Sequence, residues 1–258
     1  MKHTKLFRKV AALLFLLLTT VSLSACAVES DNSVRVYNHV KSSKTITWGV
    51  KFDTALFGIK SVKTNKLEGF EIDLARLLTK EILGKDGKAK FIEVTAQTKI
   101  PQLKNNNLDA VLATMTITDE RKKSVDFSTP YFKAGTSLMT KTSSPIKSIK
   151  DLNHNGRVAI VVKGTTAADD IARLAPKAKI RQYNDYGACT NALLAGQGDA
   201  VATDNGILAG IAVEKGQTKM LEAINKALKE AKADGSYHKL VKKWFGNIPG
   251  FSVKEAEY

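Results

Sequence analysis

Two stretches of this chain repeat one plan. Leu103-Lys-Asn-Asn-Asn-Leu-Asp109-Ala-Val-Leu-Ala-Thr114 and Leu194-Ala-Gly-Gln-Gly-Asp199-Ala-Val-Ala-Thr203 each read as a helix end, a tight polar turn, Asp-Ala, and an apolar strand. Each strand closes in polar residues, Thr114-Met115-Thr116 in one and Thr203-Asp204-Asn205 in the other. A repeated αβ unit predicts two similar α/β lobes, although the same turn is also a common αβ connection. Ligands of open α/β sheets sit beyond the carboxyl ends of the strands. Two lobes facing each other by those ends would enclose a polar cleft rich in Thr and Asp.

The rest of the chain fits an open α/β sheet. Strand patterns at Thr45–Val50, Phe91–Val94, Ala110–Thr114, Val158–Val162, Lys179–Tyr183 and Ala200–Thr203 alternate with helix patterns. The helices are expected at Gly69–Leu83, Lys99–Asn105, Thr166–Leu174, Asp185–Leu194, Lys215–Ala233 and Tyr237–Phe245. In the first of these, Ile72, Leu74, Leu77, Leu78 and Ile82 form most of one apolar face, and Gly84 stops it.

The start of the chain carries an address. Lys2, Lys5, Arg8 and Lys9 precede an apolar run from about Val10 to Val21, which is short for a span of ~20 residues. Leu23-Ser24-Ala25-Cys26 resembles a bacterial lipobox, which implies a signal peptide over 1–25 and lipid on Cys26. The polar residues 26–44 are expected to be a tether. No later stretch reads as a membrane span. The net charge is +15, but the lysines are scattered and carry no nucleic-acid motif. The charge therefore reads as a solvated surface near anionic lipid or wall polymer. Cys189 lies in a helical pattern and reads as a packed thiol. His3, His39, His154 and His238 show no metal-ligand spacing, and no Cys-x-x-Cys occurs, so neither a metal nor a cofactor is expected.

Three places could carry binding chemistry. Val161-Val162-Lys163-Gly164-Thr165-Thr166 ends a strand and opens a helix, a geometry that receives carboxylates; plain helix capping by Thr165 is the alternative. Arg121 follows Thr118 on a first helical turn, where it could clamp a carboxylate or pair with Glu120 or Asp119. Asp204 ends the second echoed strand and suits an ammonium group. Cationic and anionic edges facing one another match a zwitterion.

Thr114-Met-Thr-Ile-Thr-Asp-Glu-Arg-Lys-Lys-Ser-Val-Asp-Phe-Ser-Thr-Pro-Tyr-Phe132 resembles the signature segment of the extracellular solute-binding proteins of family 3, the amino-acid receptors of ABC importers. Gly69-Phe-Glu-Ile-Asp-Leu-Ala75, Lys163-Gly-Thr-Thr166 and Asp234-Gly-Ser-Tyr-His-Lys-Leu with Lys-Lys-Trp-Phe245 resemble its other motifs. Gly49-Val-Lys-Phe-Asp-Thr54 and Thr95-Ala-Gln-Thr-Lys-Ile-Pro101 resemble glutamine- and glutamate/aspartate-binding members. The resemblance implies a periplasmic-binding-protein type II fold, with lobe 1 at 45–132 and 211–247 and lobe 2 at 133–210. It implies a non-enzymatic, monomeric receptor outside the cell. Such a receptor would deliver glutamine, glutamate or aspartate to an ABC permease and its ATPase subunits. By motif, Arg121, Thr116, Thr165 and Thr166 would hold the α-carboxylate, Asp204 the α-ammonium, and Thr114 would add its carbonyl or hydroxyl. Lys51 and Lys99 would lie near the side-chain pocket, where two cations would favour a glutamate or aspartate side chain over glutamine, unless they are merely solvated lysines.

One segment departs from the family. After Asp204-Asn-Gly-Ile-Leu-Ala-Gly210 the family continues through a helix, a strand and a second crossover, whereas here Ile211 resembles the return strand at once. Roughly twenty residues are missing against what such a unit needs. The shortening predicts an exposed apolar face on lobe 2, a displaced Asp204 and impaired closure. It keeps open a non-transport surface protein, adhesin or sensor, or a non-binding remnant of the family.

Overall fold

The computed structural model describes residues 32–133, 136–204, 208–248 and 251–256. The signal segment and Cys26 lie outside them. The strands are β1 (Thr45–Val50), β2 (Asp53–Thr54), β3 (Gly58–Lys60), β4 (Leu67–Glu68), β5 (Lys88–Glu93), β6 (Ala110–Val111), β7 (Val125–Phe127), β8 (Thr136–Met139), β9 (Val158–Val162), β10 (Lys179–Tyr183), β11 (Ala200–Asp204) and β12 (Ala212–Glu214). The helices are α1 (Arg35–Ser43), α2 (Phe70–Leu83), α3 (Lys99–Lys104), α4 (Asp119–Lys122), α5 (Ile149–Leu152), α6 (Ala167–Leu174), α7 (Tyr186–Leu194), α8 (Thr218–Ala233), α9 (Ser236–Phe245) and α10 (Val253–Ala256). None of the described helices is long and apolar enough to cross a membrane.

Two sheets carry the fold. One runs β5-β1-β6-β12-β7, the other β10-β9-β11-β8. In both, the first three strands are parallel and the next, β12 or β8, is antiparallel. The sequence echo has a structural cause. Asp109 accepts from the Thr47 backbone N–H at 2.7 Å and donates its own N–H to the Thr47 carbonyl. Asp199 does the same to Val158, with its carboxylate 2.7 Å from that N–H. Each Asp thus fastens the third strand in its sheet order to the early part of the second, giving that strand's backbone donor a partner.

The larger core lies under the five-stranded sheet. Phe70, Ile72, Leu74, Ala75 and Leu78 on α2 are fully buried, as the apolar spacing requires. Trp48 packs beneath them and donates its indole N–H to Thr79 at 2.9 Å. Phe70, Phe132 and Phe245 meet with ring centroids 5.0–5.5 Å apart. α2 starts tightly. Gly69 has φ +142, and a Cβ there would fall 2.1 Å from the Phe57 carbonyl oxygen, so only glycine fits.

Two expectations change, and the return strand read at Ile211 forms as β12. The segment 26–44, expected as a tether, is helical over Arg35–Ser43, and its Val36 and Val40 are buried in the large core. The Val36 N–H donates to buried Gln217 at 2.9 Å, and Arg35 pairs with Glu214. The apolar positions were sparse in a Ser- and Lys-rich stretch, so helix formation depends on this docking. β6 covers only Ala110–Val111, short of the expected Thr114; the Leu112 N–H still donates to the Gly49 carbonyl at 2.9 Å, and the chain turns at Thr114 with φ +43. The return strand also forms despite its short approach. The N–H groups of Ala209 and Gly210 donate to the carbonyls of Phe132 and Met115, and Ile117 N–H donates to the Leu208 carbonyl.

The two sheets differ at one edge. β12 is flanked by a fifth strand, β7, whereas β8 has no such neighbour among the described residues. Only residues 205–211 separate β11 from β12, and no helix or strand lies among those described. Met139 on β8 is 40% exposed. Beside it a cavity of about 460 Å³ opens between Ser137, Met139 and Val201 on one side and Phe57, Phe132 and Phe251 on the other.

Candidate ligand-binding site

The cleft lies where the carboxyl ends of β1, β6 and β9 meet. Lys51, Lys99 and Thr114 line it from one lobe, and Val162, Thr165 and Tyr186 from the other. The space between them is about 10 Å³, room for about one water, so the lobes stand closed.

Lys51 and Lys99 are each only 4% exposed. Neither is a solvated lysine. The Lys51 ammonium pairs with Asp53 at 2.8 Å and lies over the Tyr186 ring, 5.8 Å from its centroid. Lys99, at the start of α3, donates to the Ala113 carbonyl at 3.2 Å. Thr114 takes the left-handed backbone region, a conformation costing about 1–2 kcal/mol for a residue with a Cβ. Its N–H donates to Glu71 at 2.7 Å.

Arg121 spans the cleft. Thr118 caps α4 by accepting from the Arg121 N–H at 3.2 Å, which orients the side chain. The guanidinium donates to the Thr116 carbonyl at 2.8 Å and to the Gly164 carbonyl of the other lobe at 3.3 Å. Asp119 and Glu120, the alternative partners for Arg121, pair with Lys122 and Lys123. Thr116 is buried and bridges to Ala209. Gly164 adopts φ +82, turning the chain into α6. Thr165 does not cap this helix; its hydroxyl donates to the Val162 carbonyl at 2.7 Å, and Thr166 holds the N-cap position. Asp204 closes β11, paired with Thr136 through the backbone; its side chain lies outside the described residues.

Three residues complete the cleft that sequence reasoning passed over. Asp53 accepts from the Tyr186 N–H at 3.3 Å and ties the lobes together. Tyr186 is hydrogen-bonded to Thr203 at 3.1 Å. Glu71 is fully buried, accepting from Thr114 and from the Tyr131 hydroxyl, and its Oε2 has no hydrogen-bond partner among the described atoms. Burial pushes its carboxyl above the ordinary value, although Tyr131, the Thr114 N–H, Lys99 and Lys51 pull the other way. A signal existed for Glu71. It precedes Leu74 and Ala75 by three and four residues on the apolar face of α2, a place where an acid must find partners. Among the described residues no cluster of His, Cys, Asp and Glu could hold a metal.

A family model for the bacterial extracellular solute-binding proteins, family 3, matches residues 46–247. The chain belongs to that family. It is 41% identical over 261 residues to the ABC transporter glutamine-binding protein GlnH of Bacillus subtilis (strain 168), covering 90% of this chain and 95% of that protein. It is 40% identical over 223 residues to the glutamine-binding protein of Geobacillus stearothermophilus, covering 81% and 85%. Among solved structures, an ancestral arginine-binding protein bound to glutamine superimposes with a TM-score of 0.71 at 36% identity, over 79% of this chain and 99% of that one. The alignment to GlnH is longer than this 258-residue chain, so that relative carries residues with no counterpart here. The two α/β lobes are those of the type II amino-acid-binding proteins.

Proposed function

We propose that this family 3 solute-binding protein captures glutamine, with glutamate or aspartate as the competing ligands, and passes it to an ABC permease. The observation that carries the reading is Arg121. Its guanidinium reaches a carbonyl on each lobe across the cleft, so a ligand carboxylate can replace the Gly164 carbonyl as acceptor and hold the lobes together. A bidentate carboxylate is the stronger partner, because both charges assist its hydrogen bonds. Thr116, Thr165 and Thr166 assist at the same end, Asp204 takes the ammonium group, and Thr114 adds a polar contact. Lys51 and Asp53 face the ligand side chain. Their pairing offers an amide both a donor and an acceptor, which favours glutamine over glutamate. Relatives named for glutamine binding support the same choice. The protein binds without turnover. It works as a monomer outside the cell, held to the membrane by lipid on Cys26.

The shortened return after Asp204 is the feature that tests this reading. Calorimetric titration of the purified protein with glutamine, glutamate, aspartate, asparagine, arginine and histidine should show micromolar or tighter binding of glutamine. Arg121→Ala should weaken it at least about a hundredfold, as loss of a buried charge-assisted pair does. No heat with any of the six from a folded protein would make the chain a non-binding remnant.

A further inference from the structure

The peptide group joining Ala113 to Thr114 is held at both ends. The Lys99 ammonium donates to its carbonyl at 3.2 Å, and the Glu71 carboxyl accepts from its N–H at 2.7 Å. Both side chains are almost fully buried, and both arrive from helices, Lys99 from the first residue of α3 and Glu71 from the first turn of α2. The Tyr131 hydroxyl donates to the same Glu71 oxygen. A single peptide plane is therefore the middle of a chain running from Lys99 through the amide to Glu71 and Tyr131. Donors and acceptors in such a chain polarise one another. The plane so held belongs to the residue whose backbone is the most demanding in the cleft, since Thr114 has φ +43 and lines the site directly. A residue in that region persists only where its surroundings over-determine it.

We infer that Lys99 and Glu71 are positioning residues that grip the Ala113–Thr114 peptide and so hold Thr114 in its left-handed conformation, aimed into the cleft. Lys99 then acts on the ligand through Thr114. This deepens the receptor reading, and its ligand arm rests on that reading.

Glycine adopts the left-handed region freely, so Thr114→Gly is the deciding variant. Lys99→Met and Glu71→Leu should each weaken glutamine binding by about tenfold or more, whereas Glu71→Gln, which keeps an accepting oxygen, should stay within about threefold. In a Thr114→Gly background, Lys99→Met or Glu71→Leu should weaken binding by no more than about threefold relative to Thr114→Gly alone. The full tenfold loss persisting in the Thr114→Gly background overturns the inference, because a lysine that touched the ligand itself would matter equally with a freer backbone. Thermal midpoints give an arm independent of the ligand. Thr114→Gly should raise the midpoint of Lys99→Met by more than it changes that of the unmodified protein. Equal shifts in the two backgrounds would overturn the inference even if no amino acid binds.

Discussion

Glu71 and Asp73 stand two residues apart on α2 and titrate in opposite directions. Burial raises Glu71 above its ordinary 4.5. Burial also acts to raise Asp73, but hydrogen bonds from Lys243, Trp244 and Arg76 outweigh it and hold the carboxyl below 3.8. The unfolded chain therefore releases the Glu71 proton first, and stability falls as pH rises from about 4.5 through the folded value. Asp73 contributes stability above 3.8 that is lost as pH falls through its lowered value. Denaturant midpoints measured from pH 3 to 8 should flatten on the neutral side in Glu71→Gln and on the acid side in Asp73→Asn. Unchanged profiles would contradict both assignments. Cys189 is a simpler case. Burial, with Asp185 and Asp53 adding, pushes its thiol up to about 11, and its side chain is fully enclosed. A disulfide reagent at pH 8 should leave it untouched in the native protein and modify it on unfolding.

Among elements, the two Asp fasteners and α1 do the least obvious work. Asp109 and Asp199 serve equivalent strands, so replacing either with Ala should cost about 1–3 kcal/mol, the range for a partly buried hydrogen bond to a charged group. Asp109 should cost the more, being 7% exposed. Arg157, paired with Asp199 at 2.8 Å, gives the second site a partner that limits its desolvation. Removing α1 by starting the chain at Lys44 should cost about 2–4 kcal/mol, since it uncovers the core around Val36 and Val40 and strips buried Gln217 of its donor. A tether would make no difference to a urea midpoint, so that measurement separates the two descriptions of residues 35–43.

At the scale of the molecule, closure and the unfinished edge of lobe 2 belong together. A cleft of about 10 Å³ admits no amino acid, so binding requires the lobes to part and close again. Small-angle scattering should show the open form populated without ligand, as a radius of gyration larger than that of the closed lobes, and saturating glutamine should reduce it. An unchanged radius alongside measurable binding would mean that the short connection at 205–211 holds the lobes fixed. The connection is not slack. The described residues 208–210 are already hydrogen-bonded to segments 115–117 and 131–132. Among the described residues β8 is the outer strand of its sheet, and the apolar cavity opens beside it against Phe132 and Phe251.

By itself the sequence determined the alternation of strands and helices and the echo of two αβ units, and it marked Arg121 and Thr165 as candidates, with Lys51 and Lys99 added by the family resemblance. These follow from local periodicity and from short motifs, in which neighbouring residues act on one another along the chain. Only the tertiary structure decided what those side chains face. Lys99 meets a peptide fourteen residues away, and Glu71 meets one forty-three residues away. Asp53 reaches across to Tyr186, and a polar-looking segment becomes a helix because Gln217 and the large core receive it. Such contacts depend on where folding brings distant segments together, and burial then sets which charges must be paired.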